Sequence, residues 1–174
     1  MSMVQHTVIE TLTFASELQR LIHDEVKPPS GTASSFSEPV IYMALVRNTR
    51  GYIEKVAHQI NGSYQHGWYD ATSVMVRRLI ETLIIECYEA HSIDGKIKDD
   101  QGNYLFLKDL IDLFLAESAW TIGRTVKQVL PKLKDIGDKS AHSRRYNAHR
   151  EDIDKVSPHL RDAVQELLSV AKLK

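Results

Sequence analysis

The chain has 174 residues, a formal net charge of −1, 43% hydrophobic and 26% charged side chains, eight glycines, five prolines and a single cysteine. That length suits one folded globular domain, and the lone Cys87 excludes an internal disulfide; set among apolar neighbours, it fits a reducing, cytosolic compartment. No run of about twenty uncharged apolar residues occurs, and MSMVQHTVIETL has no basic region leading into an apolar one, so neither a membrane span nor a signal peptide is expected.

The first predicted element is a helix over 4–27, where Val4, Val8, Leu12, Ala15, Leu18 and Ile22 recur at helical spacing. PPSGTASSFSEP at 28–39 then reads as a loop, with Ser37 as N-cap and Pro39 near the start of a second helix. That helix is expected to run to Asn61, where Asn61-Gly62 supplies a left-handed stop. Asp70 is read as the N-cap of a third helix over 71–91, whose stripe of Val76, Leu79, Ile80, Leu83, Ile84 and Cys87 is wide enough for a central, buried element.

Asp94-Gly95 and Gln101-Gly102 bracket KIKDDQ, a segment that closes either as a small hairpin near 95–103 or as a plain loop. Leu107, Leu110, Ile111 and Phe114 restore helical phase, and Ile122, Val126, Val129, Leu133, Ile136 and Ser140 carry it through Pro131, which is expected to kink or split the helix. Tyr146 and Asn147 read as turn and N-cap of the last helix, which keeps phase across Ser157-Pro158 by bending or by starting anew. The sum is an all-α fold, an antiparallel bundle of five to six helices in one domain over 1–174.

The near-neutral total hides a split. Residues 124–150 hold eight basic side chains (Arg124, Lys127, Lys132, Lys134, Lys139, Arg144, Arg145, Arg150) against Asp135 and Asp138, a local charge of +6 that leaves −7 for the rest. Such clustering favours anionic partners, although a merely solvated basic face has the same composition. Within it, Gly137, Ser140 and Ala141 form a small-residue patch in helical phase, suited to close packing inside the bundle or to a subunit contact.

His142 follows, with Arg144 and Arg145 just beyond. A neutral imidazole can take a proton near pH 7 and a guanidinium fork can hold phosphate oxygens, so these are the parts of a metal-independent attack by a ribose 2′-hydroxyl on its phosphate. The structural alternative is a histidine complementing the dipole at a helix C-terminus. His142 and His149 are too few ligands for zinc, and neither a metal nor a cofactor is expected.

LKDIGDKSAHSRRYNAHREDI, with VRRLIETLIIECYEAHSI upstream, resembles the uncharacterised prokaryotic branch of the HEPN superfamily, which includes domains linked to abortive infection. Arg77, Arg78 and Glu81 match that branch's Arg-rich start of a central helix and its following Glu; Gly137, Asp138, Ala141 and His142 match its Gly-Asn/Asp-x-x-Ala-His helix end. The resemblance covers 65–172, while the helical pair in 1–62 matches only in being helical. It implies a homodimer composing a shared site. The superfamily's ribonucleases carry an arginine a few residues before the histidine; here Lys134 stands where that arginine is expected, and Arg144 with His149 meets the spacing only in the turn beyond the signature.

Three functions are expected from these readings. The first is an RNA- or nucleotide-binding homodimer in a prokaryotic defence or toxin-antitoxin setting, with Lys139, Arg150, Tyr146, Arg78 and Glu81 around the ligand. The second is a metal-independent endoribonuclease with His142 as base and Lys134, Arg144 or Arg145 stabilising the phosphorane. The third is an antitoxin-like module that docks a partner protein and no nucleic acid.

Overall fold

The computed structural model describes residues 13–17 and 38–174. The chain divides into two compact units, Met1–Thr32 and Ala33–Lys174. In the first, residues 13–17 are helical; the remainder of the 4–27 helix and the Ser37 cap lie outside the described residues. The second unit contains α1 (Met43–Val46), α2 (Gly51–Gln65), α3 (Tyr69–Ala90), a 3-10 turn (Asp94–Ile97), α4 (Leu107–Ala116), α5 (Arg124–His142) and α6 (Arg150–Val170).

The fold is all-α. Helix α3 is its centre, packed against α2, α4, α5 and α6. The stripe foreseen for it is buried throughout, from Val76 through Leu79, Ile80, Leu83 and Ile84 to Cys87. Removing that much apolar surface from water is the main term holding the helices together. Helix α5 runs antiparallel to α3, with Gly137 against Ser73 and Arg77. Helix α6 returns antiparallel to α5, as the Gly123 N–H donation to Glu166 Oε1 at 2.5 Å shows. Helix α6 is therefore parallel to α3: Ala148 N–H meets Asp70 near the start of both, and Cys87 Sγ reaches Leu167 O at 3.3 Å near their ends.

Several boundaries differ from those the sequence suggested. The second helix is two, α1 and α2, separated by residues 47–50 where Asn48 adopts φ 64° and donates its N–H to Glu54 Oε1 at 2.7 Å. The Asn61-Gly62 stop is not used. Asn61 is buried, and its side-chain amide accepts from Ile41 N–H at 2.9 Å and donates to Ile41 O at 2.8 Å. This satisfies both polar groups of a buried backbone residue, which would be costly to leave unpaired. The helix continues to Gln65 and the chain reverses at Gly67, whose φ of 77° needs the missing Cβ.

Asp70 is not a cap either. Trp68 occupies the N-cap of α3, and Asp70 accepts the Ala148 N–H at 3.0 Å. The N-cap of the last helix is His149 rather than Asn147, because Asp152 accepts both the His149 N–H (3.0 Å) and the Tyr146 hydroxyl (3.1 Å). Neither Pro131 nor Pro158 splits its helix; both rings are exposed, where a carbonyl one turn earlier can turn to water. The 95–103 segment makes the 3-10 turn and one isolated antiparallel bridge, Lys98 to Tyr104, with no strand among the described residues. Among the described residues no helix is long and apolar enough to cross a membrane.

Candidate functional site

Helix α5 sorts its side chains cleanly. Val126, Val129, Leu130, Leu133 and Gly137 face inward and are buried. Arg124, Lys127, Lys132, Lys139 and His142 are exposed and share the opposite side. At 1.5 Å per residue the row from Arg124 to His142 extends about 27 Å. Arg144 and Arg145 continue it in the exposed turn before α6. Among the described residues no carboxylate lies within ion-pair distance of Arg124, Lys127, Lys132, Lys139, Arg144 or Arg145.

The inner side of the same turn is a closed ionic junction. A Cβ on Gly137 would lie 2.6 Å from Arg77 Cβ and 3.0 Å from Ser73 O, so only glycine permits α3 and α5 to approach this closely. That contact brings Arg77 Nε to Asp138 Oδ1 at 2.7 Å, while Lys134 Nζ meets Asp138 Oδ2 at 2.6 Å and Asp135 at 3.6 Å. Partial burial pushes the Asp138 carboxyl up, but the hydrogen bonds from Lys134 and Arg77 prevail and hold it below the ordinary carboxylate range. The Asp138 hydrogen bond correspondingly raises Lys134. Glu81 stands 3.6 Å from Arg77 and completes the group.

Of the residues singled out in the sequence, Gly137, Asp138, Arg77, Glu81 and Lys134 thus come together, as a packing junction. His142 is not among them: it is exposed at the last position of α5, eight residues and about 12 Å along the axis from Lys134. Ala141 and Arg78 are exposed. Arg150 is turned to α2, its Nε donating to the Tyr64 hydroxyl at 3.2 Å and lying 3.4 Å from Asp154. Tyr146 is half-buried and engaged with Asp152; burial, then the nearby carboxylate, pushes its hydroxyl pKa up.

Residues 58–174 match the family described as Domain of unknown function (DUF4145). The chain belongs to the DUF4145 family. No curated protein and no solved structure matches it. The DUF4145 match starts within α2 and takes in α3 to α6, so both the ionic junction and the basic row belong to the family's portion of the chain.

Two further features of this DUF4145 chain were not visible in its sequence. Lys132 of α5 and Lys155 and His159 of α6 rim a groove of about 310 Å³ floored by Val129 and Val156. Tyr64, Asp154, Arg150, Arg161 and Glu38 surround a second cavity of about 180 Å³, in which the Tyr64 hydroxyl donates to Asp154 and Arg161 binds the carbonyls of Pro39 and Val40. The i,i+4 spacing of Lys155 and His159 is the one sequence signal for the first; the second joins residues about 90 or more positions apart and has none. Among the described residues no three His, Cys, Asp or Glu side chains gather as a metal ion requires. Cys87 is fully buried and desolvation pushes its thiol far up, so it is no nucleophile.

Proposed function

We propose that this chain is a HEPN-like, RNA-binding homodimer of the prokaryotic cytosol that holds the phosphate backbone along the outer side of α5 and the turn after it. The observation carrying this reading is the row of six cations, Arg124, Lys127, Lys132, Lys139, Arg144 and Arg145, exposed and without carboxylate partners among the described residues. A positive row of this kind raises local anion concentration and suits a polyanion better than one small ligand. The groove at Lys132, Lys155 and His159 widens the same surface. Binding is preferred to cleavage because the cation placed to assist His142 from within the signature, Lys134, is bound to Asp138. It is preferred to protein docking because Gly137, the centre of the small-residue patch, is occupied by Arg77 of the same chain.

The test is fluorescence anisotropy with labelled RNA across a salt series, in excess chelator, with the RNA checked for intactness afterwards. Six phosphate contacts to a single strand give a log–log salt slope of roughly −4, and Arg144→Glu with Arg145→Glu should flatten it and weaken binding at least tenfold. No binding at low salt by a folded wild type, or a slope near zero, overturns the reading. Chelator-resistant cutting that His142→Ala abolishes replaces it with the endoribonuclease.

A further inference from the structure

The turn between α2 and α3 carries an exposed aromatic pair. Trp68 is 45% exposed and stacks on His66, with ring centroids 5.0 Å apart and planes at 28°. Local bonds fix the backbone under one ring and the other ring itself. The Trp68 backbone N–H donates to Ser63 O at 2.9 Å, and His66 Nδ1 lies 2.7 Å from Gly62 O. The other tryptophan shows the contrast: Trp120 packs on Tyr88, His91 and Phe114 and donates its indole N–H to Phe114 O at 3.1 Å. Among the described residues the Trp68 indole N–H has no such acceptor, and its one ring neighbour is His66.

This pair sits at the end of the bundle where the basic row finishes. Asp70, two residues after Trp68, accepts the Ala148 N–H at 3.0 Å, and Arg144 and Arg145 lie four and three residues before Ala148. Arg150 and Tyr64 join the same two segments a second time at 3.2 Å. Six residues of chain reach at most about 20 Å, so the stacked rings and the two arginines lie within a few nucleotides of each other.

We propose that Trp68, backed by His66, stacks a base of a single-stranded RNA whose phosphates follow Arg144, Arg145 and the α5 cations. This rests on the RNA-binding reading above and adds the class of RNA. A row of cations binds any nucleic acid, but a base can leave its neighbours for an indole only where it is unpaired, because a duplex has its base faces covered already. An indole already stacked on His66 also loses less freedom on binding than an unsupported one, so the platform adds to affinity without first having to form.

The experiment uses the full chain with a short RNA lacking self-complementarity, alone and annealed to its complement. The single strand should quench wild-type tryptophan fluorescence, and the duplex should not. In Trp68→Leu the quench should vanish and single-strand affinity fall about ten- to a hundredfold, with Trp68→Tyr recovering most of it and duplex affinity unchanged. The quench is read on the wild type, so it does not depend on a variant folding. Unaltered single-strand binding by Trp68→Leu, or equal loss for both RNAs, overturns the stack and leaves the basic row standing. Absence of binding to either RNA by the wild type overturns both.

Discussion

Gly137→Ala isolates the contact on which the α3–α5 interface is built. The new methyl would stand 2.6 Å from Arg77 Cβ, 3.0 Å from Ser73 O and 3.1 Å from Arg77 Cδ. Ordinary carbon contacts lie near ~3.5–4.0 Å, so about 1 Å is missing. Two of the three obstructing atoms, a backbone oxygen and a Cβ, cannot swing aside, and the helices must separate instead. Overpacking of this kind costs about 1–3 kcal/mol, against about 0.5–1 kcal/mol returned because alanine is the better helix former. The net loss is about 1–2 kcal/mol, or roughly 5 °C in Tm for a chain of this size. Gly62→Ala is the matched control, because Gly62 lies inside α2 with nothing within 4 Å of the added Cβ. It keeps the propensity gain without the clash and should raise stability by about 0.5–1 kcal/mol. Thermal and urea unfolding followed by circular dichroism reads both. A Gly137→Ala protein as stable as wild type, beside a stabilised Gly62→Ala protein, would refute the packing argument.

Asp138→Asn should make stability less dependent on acid. The Asp138 carboxyl is held below its ordinary range, so its contribution is complete above the unfolded value near pH ~3.9 and disappears as pH falls through the lower folded value. The gap between wild-type and Asn urea midpoints should therefore be open at neutral pH and close in strong acid; a gap constant with pH rejects the assignment. Asn61→Ala removes both bonds to Ile41 and should destabilise by about 2–4 kcal/mol, with the Ile41 amide losing hydrogen-exchange protection ahead of the α3 amides. Retained protection at Ile41 would mean that its N–H is satisfied some other way.

The helices were legible because apolar spacing reports which face meets the core, and the stripes of α3, α5 and α6 are unambiguous at a period of 3.6. Their ends were less so. Asn61 and Asp70 have residue types suited to stops and caps, but each is engaged by a residue remote in sequence, Ile41 and Ala148, and local chemistry yields to that tertiary demand. Of the small residues at 137–141, Gly137 makes a close approach while Ala141 is exposed, and the Arg77–Asp138 pair formed there was hidden because its members lie 61 positions apart. The basic row was visible as composition. Which of its members meet a carboxylate among the described residues was not, since Lys134 and Arg150 differ from Lys132 and Arg145 only in what the fold sets beside them. Trp68 gave no signal at all: two tryptophans look alike until one is found half-buried against the core and the other exposed.

The parallel pairing of α3 with α6 bears on how the chain reaches this fold. Partners such as Cys87 and Leu167, 80 positions apart, can meet only after everything between them has been made, and contacts of such long range slow folding relative to a bundle of neighbouring hairpins. On the ribosome, α3 emerges with α2 already beside it but with the flank meant for α6 bare. That apolar flank stays exposed through the synthesis of some eighty residues, the interval in which aggregation or capture by a chaperone competes with folding.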